Sequence, residues 1–120
     1  MDTKTQNKPK NDLEERTARF AKDVRAFVRK LPKSIISIED GRQVVRSSGS
    51  VGANYIEANE SLSKKDFVMR AKICRKEAKE TRYWLQMFEE LPPGLIGERN
   101  KLIQESTELL RIFSTMIAKF

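Results

Sequence analysis

Apolar and small side chains recur at alternating intervals of four and three along successive segments of this chain. One series is Leu13, Thr17, Phe20, Val24, Phe27 and Leu31, and a later one is Phe67, Ala71, Cys74, Ala78, Thr81, Leu85 and Phe88. A helix turns once every 3.6 residues, so this spacing lays the side chains in one stripe that must pack against other helices. The last segment carries two such lines side by side. Leu102, Leu109, Phe113, Met116 and Phe120 form one, and Ile103, Leu110 and Ile117 the other. That wider face suits a helix with more buried neighbours, supplied by the monomer or by a second subunit.

Caps and breakers divide the pattern into four helices. The first is predicted from Asn11, with Glu14 three residues on as in a capping box, to about Lys30. Leu31-Pro32 ends it, because the residue before proline is pushed out of the helical region. The second is predicted from Ser37, with Asp40 at the third position, to about Glu60. The third, expected to be the longest, is capped by Ser63 with Asp66 three residues later and runs to about Glu90. Leu91-Pro92-Pro93-Gly94 is a strong breaker, and the fourth helix follows from about Leu95 to Lys119. Connections this short make neighbouring helices antiparallel. The expectation is therefore an all-α, up-down-up-down four-helix bundle over residues 12–120, preceded by a disordered basic arm over residues 1–11.

Composition narrows the function classes. A chain of 120 residues suits one domain with a modest core, and only five glycines and four prolines favour long helices. No apolar run approaches the roughly 20 residues of a membrane span, and the N-terminus lacks an apolar signal-peptide core. A single cysteine excludes an intrachain disulfide, which fits a cytoplasmic protein. The net charge of +7 points to a polyanionic partner.

The usual catalytic groups are scarce. With no histidine in the chain, nothing of that kind activates Cys74, which falls on the core stripe of the third helix and reads as a small buried hydrophobe. Glu57, Glu77 and Glu80 are the carboxylates a bundle metal site would use, but such sites rely on Glu-x-x-His pairs. Paired with arginine across helices, these acids serve better to fix which helix faces which, and no metal or cofactor is expected. Gly49 and Gly52 have neither the spacing nor the Lys-Ser/Thr pair of a phosphate loop. They belong instead to a run of small residues, Ser47, Ser48, Gly49, Ser50, Gly52 and Ala53, in the middle of the second helix. Each glycine there costs on the order of 1 kcal/mol relative to alanine, so close approach of another helix is predicted to offset it.

The third helix carries the strongest functional signal. Lys65, Lys72, Arg75, Lys76, Lys79 and Arg82 form a basic band beside its core stripe, and such a band can neutralise successive phosphates. Arg25, Arg29, Lys30 and Lys33 are candidates to extend it. From Ser63 to Glu90 there are eight bases and five acids, whereas Glu39 to Glu60 has two bases and four acids. Charge is thus uneven, through either a binding patch or attraction between helices. On the other side of the core stripe lie Ile73, Glu77, Glu80, Trp84 and Met87, large apolar groups among acids. That mixture needs a covering partner, either a helix of the same chain or a neighbouring protomer.

The stretch Gln43-Val44-Val45-Arg46-Ser47-Ser48-Gly49-Ser50-Val51-Gly52-Ala53-Asn54-Tyr55-Ile56-Glu57 resembles the four-helix-bundle proteins encoded in intervening sequences of bacterial 23S ribosomal RNA genes, once labelled S23 ribosomal proteins. The resemblance continues through Ser63-Lys64-Lys65-Asp66-Phe67, Glu77-Ala78-Lys79-Glu80 and Trp84-Leu85, spanning about Arg16 to Phe88. Ala58 departs from it, standing where the family usually has glycine. The resemblance implies a bundle that assembles into a homopentameric ring. It marks Asn54 and Glu57 as signature positions, assigned here with Glu77, Glu80 and Trp84 to packing and assembly. A related branch, the accessory proteins of diversity-generating retroelements, implies RNA and a reverse transcriptase as partners. The combined expectation is a non-enzymatic oligomer that binds RNA or DNA through its basic band; the alternative is an interaction scaffold with no nucleic-acid role.

Overall fold

A computed structural model describes residues 9–120, with side chains from Asp12 onward. The arm anticipated over residues 1–11 therefore lies mostly outside the described residues. Four helices follow in order: α1 (Pro9–Arg29), α2 (Ile35–Asn59), α3 (Lys64–Met87) and α4 (Pro93–Ala118). The ends of α1 and α3 have visible causes. Leu31-Pro32 closes α1, and Phe88 leaves the helical region with φ −80° and ψ 90° to close α3. Arg99 Nη1 of α4 donates to the Phe88 carbonyl at 2.5 Å, so the end of α3 is capped from a neighbouring helix.

The boundaries differ from expectation at three points. Asn11 lies inside α1 rather than at its N-cap. The cap of α2 is Ser34, not Ser37. The Ser34 side chain accepts from the Ser37 amide at 3.0 Å, while the Ser37 hydroxyl accepts from the Ser34 amide at 2.9 Å. Ser37 thus plays the reciprocal part of a capping box that usually falls to Glu or Gln. The longest helix is α4, with 26 residues against 24 for α3. The cap on α3 is as predicted, with the Asp66 amide donating to Ser63 Oγ at 3.1 Å.

Cross-helix contacts fix the topology. As numbering rises along α1 it falls along α2: Thr17 lies against Gly52, Arg25 against Gly49 and Val28 against Gly41. The same reversal relates α2 to α3 (Arg46 to Glu80, Asn54 to Arg70). It also relates α3 to α4, where Phe67 meets Phe120 and Arg82 meets Thr107. Finally, α4 returns beside α1, with Arg16 on Glu105 and Lys30 on Glu98. The result is an up-down bundle in which each helix lies beside two others and faces the third diagonally across the core, where Tyr55 of α2 meets Phe113 of α4.

The stripes read from the sequence form the core. Leu13, Thr17, Phe20, Val24, Phe27 and Leu31 are all buried, as is the α3 series except half-buried Phe67. On α4 the stripe holds through Leu102, Leu109 and Phe113, but Phe120 ends beyond the helix and is 60% exposed. Each large apolar side chain buried this way contributes roughly 1.5–3 kcal/mol. The small residues of α2 admit α1. A Cβ on Gly52 would sit 3.0 Å from Thr17 Oγ1 and 3.3 Å from Thr17 Cβ. On the other side of α2, the buried Ser47 and Thr81 hydroxyls hydrogen-bond across the α2–α3 seam at 2.8 Å.

Candidate nucleic-acid interface

Helix α3 sorts its polar side chains by neighbour. Facing α2, Glu77 and Glu80 converge on Arg46. Glu80 Oε2 is ion-paired with Arg46 Nη2, and Arg46 Nη1 lies 3.7 Å from Glu77 Oε1. The latter distance is too long for a hydrogen bond, and the buried Glu77 Oε1 has no hydrogen-bond partner among the described residues. Trp84 Nε1 donates to Glu80 Oε2 at 3.4 Å, and its half-buried ring packs on the core. Much of the mixed acidic and apolar band of α3 is therefore covered by α2 of the same chain, while Met87 stays 40% exposed.

Asn54 ties α2 to α3 nearer the other end of the seam, its Oδ1 accepting from Arg70 Nη1 at 3.1 Å. Glu57 is exposed on α2 at that same end. Residue 54 is level with residue 70, which places Glu57 about ten residues of α3, or roughly 15 Å, from Glu77. Glu57, Glu77 and Glu80 are not brought together, and among the described residues no three His, Cys, Asp or Glu side chains form a metal-sized group. Burial pushes the Cys74 thiol up to about 12, so it stays protonated at neutral pH.

Facing α4 and solvent, the basic band is gathered. Lys72, Arg75, Lys76, Lys79 and Arg82 line one open depression of about 480 Å³, with Leu110 and Ser114 of α4 as its opposite wall. Lys65 stands further along. It lines a second depression with Lys64, Val68, Met69, Phe120 and the shared Lys72. Lys65, Lys72, Lys76 and Lys79 are exposed, while Arg75 and Arg82 are half-buried. Arg82 Nη1 donates to Thr107 Oγ1 at 3.2 Å, which steadies one guanidinium across the α3–α4 seam. The row from Lys65 to Arg82 covers about 25 Å of helix.

Five acids of the bundle are engaged in the other seams. Glu98, Glu105 and Glu108 of α4 pair with Lys30 and Arg16 of α1, and Glu77 and Glu80 pair with Arg46 of α2. None of the six basic side chains is in an ion pair among the described residues, and no acid lines either depression. This sorting depends on which helices are neighbours, so the periodicity of α3 alone could not show it. Two of the α1 candidates, Lys30 and Arg25, do not extend the band. Lys30 is paired with Glu98, and Arg25 donates to the Ala21 carbonyl and lies against Gly49 of α2.

The match to known proteins is as extensive as the bundle. Residues 10–115 match the profile of one protein family, the 23S rRNA-intervening sequence proteins. The chain belongs to that family. A similar solved structure is that of a protein with unknown function from the S23 ribosomal protein family of Bacteroides thetaiotaomicron VPI-5482. It is 28% identical, with a TM-score of 0.70 over 87% of this chain and 96% of that one. No curated protein matches the chain in sequence. For this 23S rRNA-intervening sequence protein, no helix among the described residues is long and apolar enough to cross a membrane.

Proposed function

We propose that this protein is a non-enzymatic, self-assembling bundle that binds nucleic acid along the α3–α4 face. The observation that carries the reading is the segregation of charge. Five bases surround one acid-free depression, while Glu77 and Glu80 are committed to the α2–α3 seam and Glu98, Glu105 and Glu108 to the α1–α4 seam. A face left positive in this way attracts a polyanion and gains from counterion release, whatever the base sequence. The lack of histidine and the high value of the Cys74 thiol support a binding role over catalysis.

Self-assembly is supported by apolar side chains that the monomer leaves in water. Ile38 and Ile56, each about half exposed, lie on one side of α2 with partly buried Val45 between them. A second copy of the chain would cover them, and the ring of five implied by the family is the assembly proposed.

The test of binding is fluorescence anisotropy with labelled structured RNA and duplex DNA across a salt series, comparing wild type with Arg75→Glu/Lys79→Glu. The reading requires micromolar or tighter binding with a steep salt slope that the double variant flattens. Binding lost at moderate salt, or unaltered by the variant, leaves the interaction scaffold as the better account.

A further inference from the structure

The geometry points to an unpaired strand, RNA or DNA, as the occupant of the basic face, with bases stacked on Tyr83 and Phe120. This inference rests on the nucleic-acid reading above. Lys65, Lys72, Lys76, Lys79 and Tyr83 follow one another at intervals of seven, four, three and four, which keeps them on one line of α3. Tyr83 stands in line with the lysines and is 50% exposed. Its ring is not loose: it sits edge to face against Trp84, with centroids 5.0 Å apart and planes at 76°. Trp84 is in turn packed on the core and hydrogen-bonded to Glu80.

The other end of the row has the same arrangement. Phe120 shares the second depression with Lys65 and Lys72, is braced edge to face by Phe67 at 5.6 Å, and has Lys64 Nζ 5.8 Å from its ring centre. Two braced aromatic rings thus stand near the two ends of the basic row, about 24 Å apart as judged from residues 67 to 83 of α3. Lysines alone would favour a duplex, because it carries the denser charge. Exposed rings in the same line contribute only when a base is free to leave its neighbours and lie on them. A paired helix offers no such base except at a frayed end.

The experiment uses the full chain with labelled oligouridine and oligothymidine of about 20 nucleotides and an RNA hairpin of matched phosphate number, closed by a compact tetraloop that stacks its own bases, at fixed moderate salt. Wild type should bind the strands more tightly than the hairpin. Tyr83→Ala should weaken both strands about tenfold, leave the hairpin within about twofold and keep the salt slope, whereas Tyr83→Phe should bind as wild type does. Equal loss on hairpin and strand, or no loss on the strand, overturns the stacking role while leaving phosphate binding intact. Failure of wild type to bind any probe overturns the nucleic-acid reading itself, and this inference with it.

Discussion

Two glycines of α2 and α4 show how far the cost of a residue depends on what faces it. A Cβ on Gly52 meets Thr17 at 3.0 Å, and Thr17 cannot withdraw easily because its hydroxyl hydrogen-bonds the Leu13 and Glu14 carbonyls, both at 3.0 Å. A Cβ on Gly97 meets nothing within 4 Å. Gly52→Leu should therefore destabilise the bundle by on the order of 2 kcal/mol through overpacking. Gly97→Ala should stabilise it by roughly 0.5–1 kcal/mol through helix propensity alone. Thermal melts followed by circular dichroism read both, and a shared sign would refute the contrast. The small-residue run announces a close helix contact in the sequence. That the contact is α1, and that Ser47 instead meets Thr81 of α3, depends on positions around α2 that composition does not rank.

At the scale of elements, the seams differ in what holds them. Between α2 and α3, Arg46 faces two carboxylates, one of which, Glu77, is only 7% exposed and has an oxygen without a hydrogen bond. Arg46→Ala leaves that charge uncompensated and should cost about 2 kcal/mol, discounted because Arg46 is half exposed. Adding Glu77→Leu should recover most of the loss in urea denaturation; a double variant no better than the single one would mean the charge is not the cause. Between α1 and α4, Arg16 bridges Glu105 and Glu108. Hydrogen bonds from Gln104 and then Arg16 hold the Glu108 carboxyl below its usual value. Its folded value being depressed, its contribution is present above the unfolded value near 4.5 and fades as pH falls through the folded one. Arg16→Ala should lower the melting midpoint by a few degrees at pH 7, with the gap to wild type narrowing below about pH 4; a gap independent of pH would contradict this. The stripes of α1 and α3 were legible because periodicity belongs to one helix at a time. Arg46 with Glu77, Arg16 with Glu105, and the Arg99 cap on Phe88 were not, because they need the register between helices. The start of α2 lies at Ser34 and not at the predicted Ser37 for a local reason: Ser37 takes the reciprocal place in the capping box, one that usually falls to Glu or Gln.

For the whole molecule, the sorting of charge and the uncovered isoleucines of α2 bear on the same question, because a polyanion can bridge copies that are held together. The basic face lies on the α3–α4 side, and Ile38 and Ile56 lie on α2 toward its α1 side, so the proposed self-contact need not obscure the binding face. If copies assemble, a strand long enough to reach a second protomer binds it at the high effective concentration set by the first, and affinity should rise by about 10²–10⁴ without a new kind of contact. In light scattering after size exclusion, wild type should be a defined multimer and Ile38→Asp/Ile56→Asp a monomer that keeps its helical circular dichroism. Lengthening an oligouridine from one that spans a single basic row to one several times longer should then raise the affinity of wild type steeply. For the monomeric variant it should rise only in proportion to the number of sites on the strand. The same steep dependence in both proteins would detach length from assembly, and a wild type that is itself monomeric would remove the proposed ring.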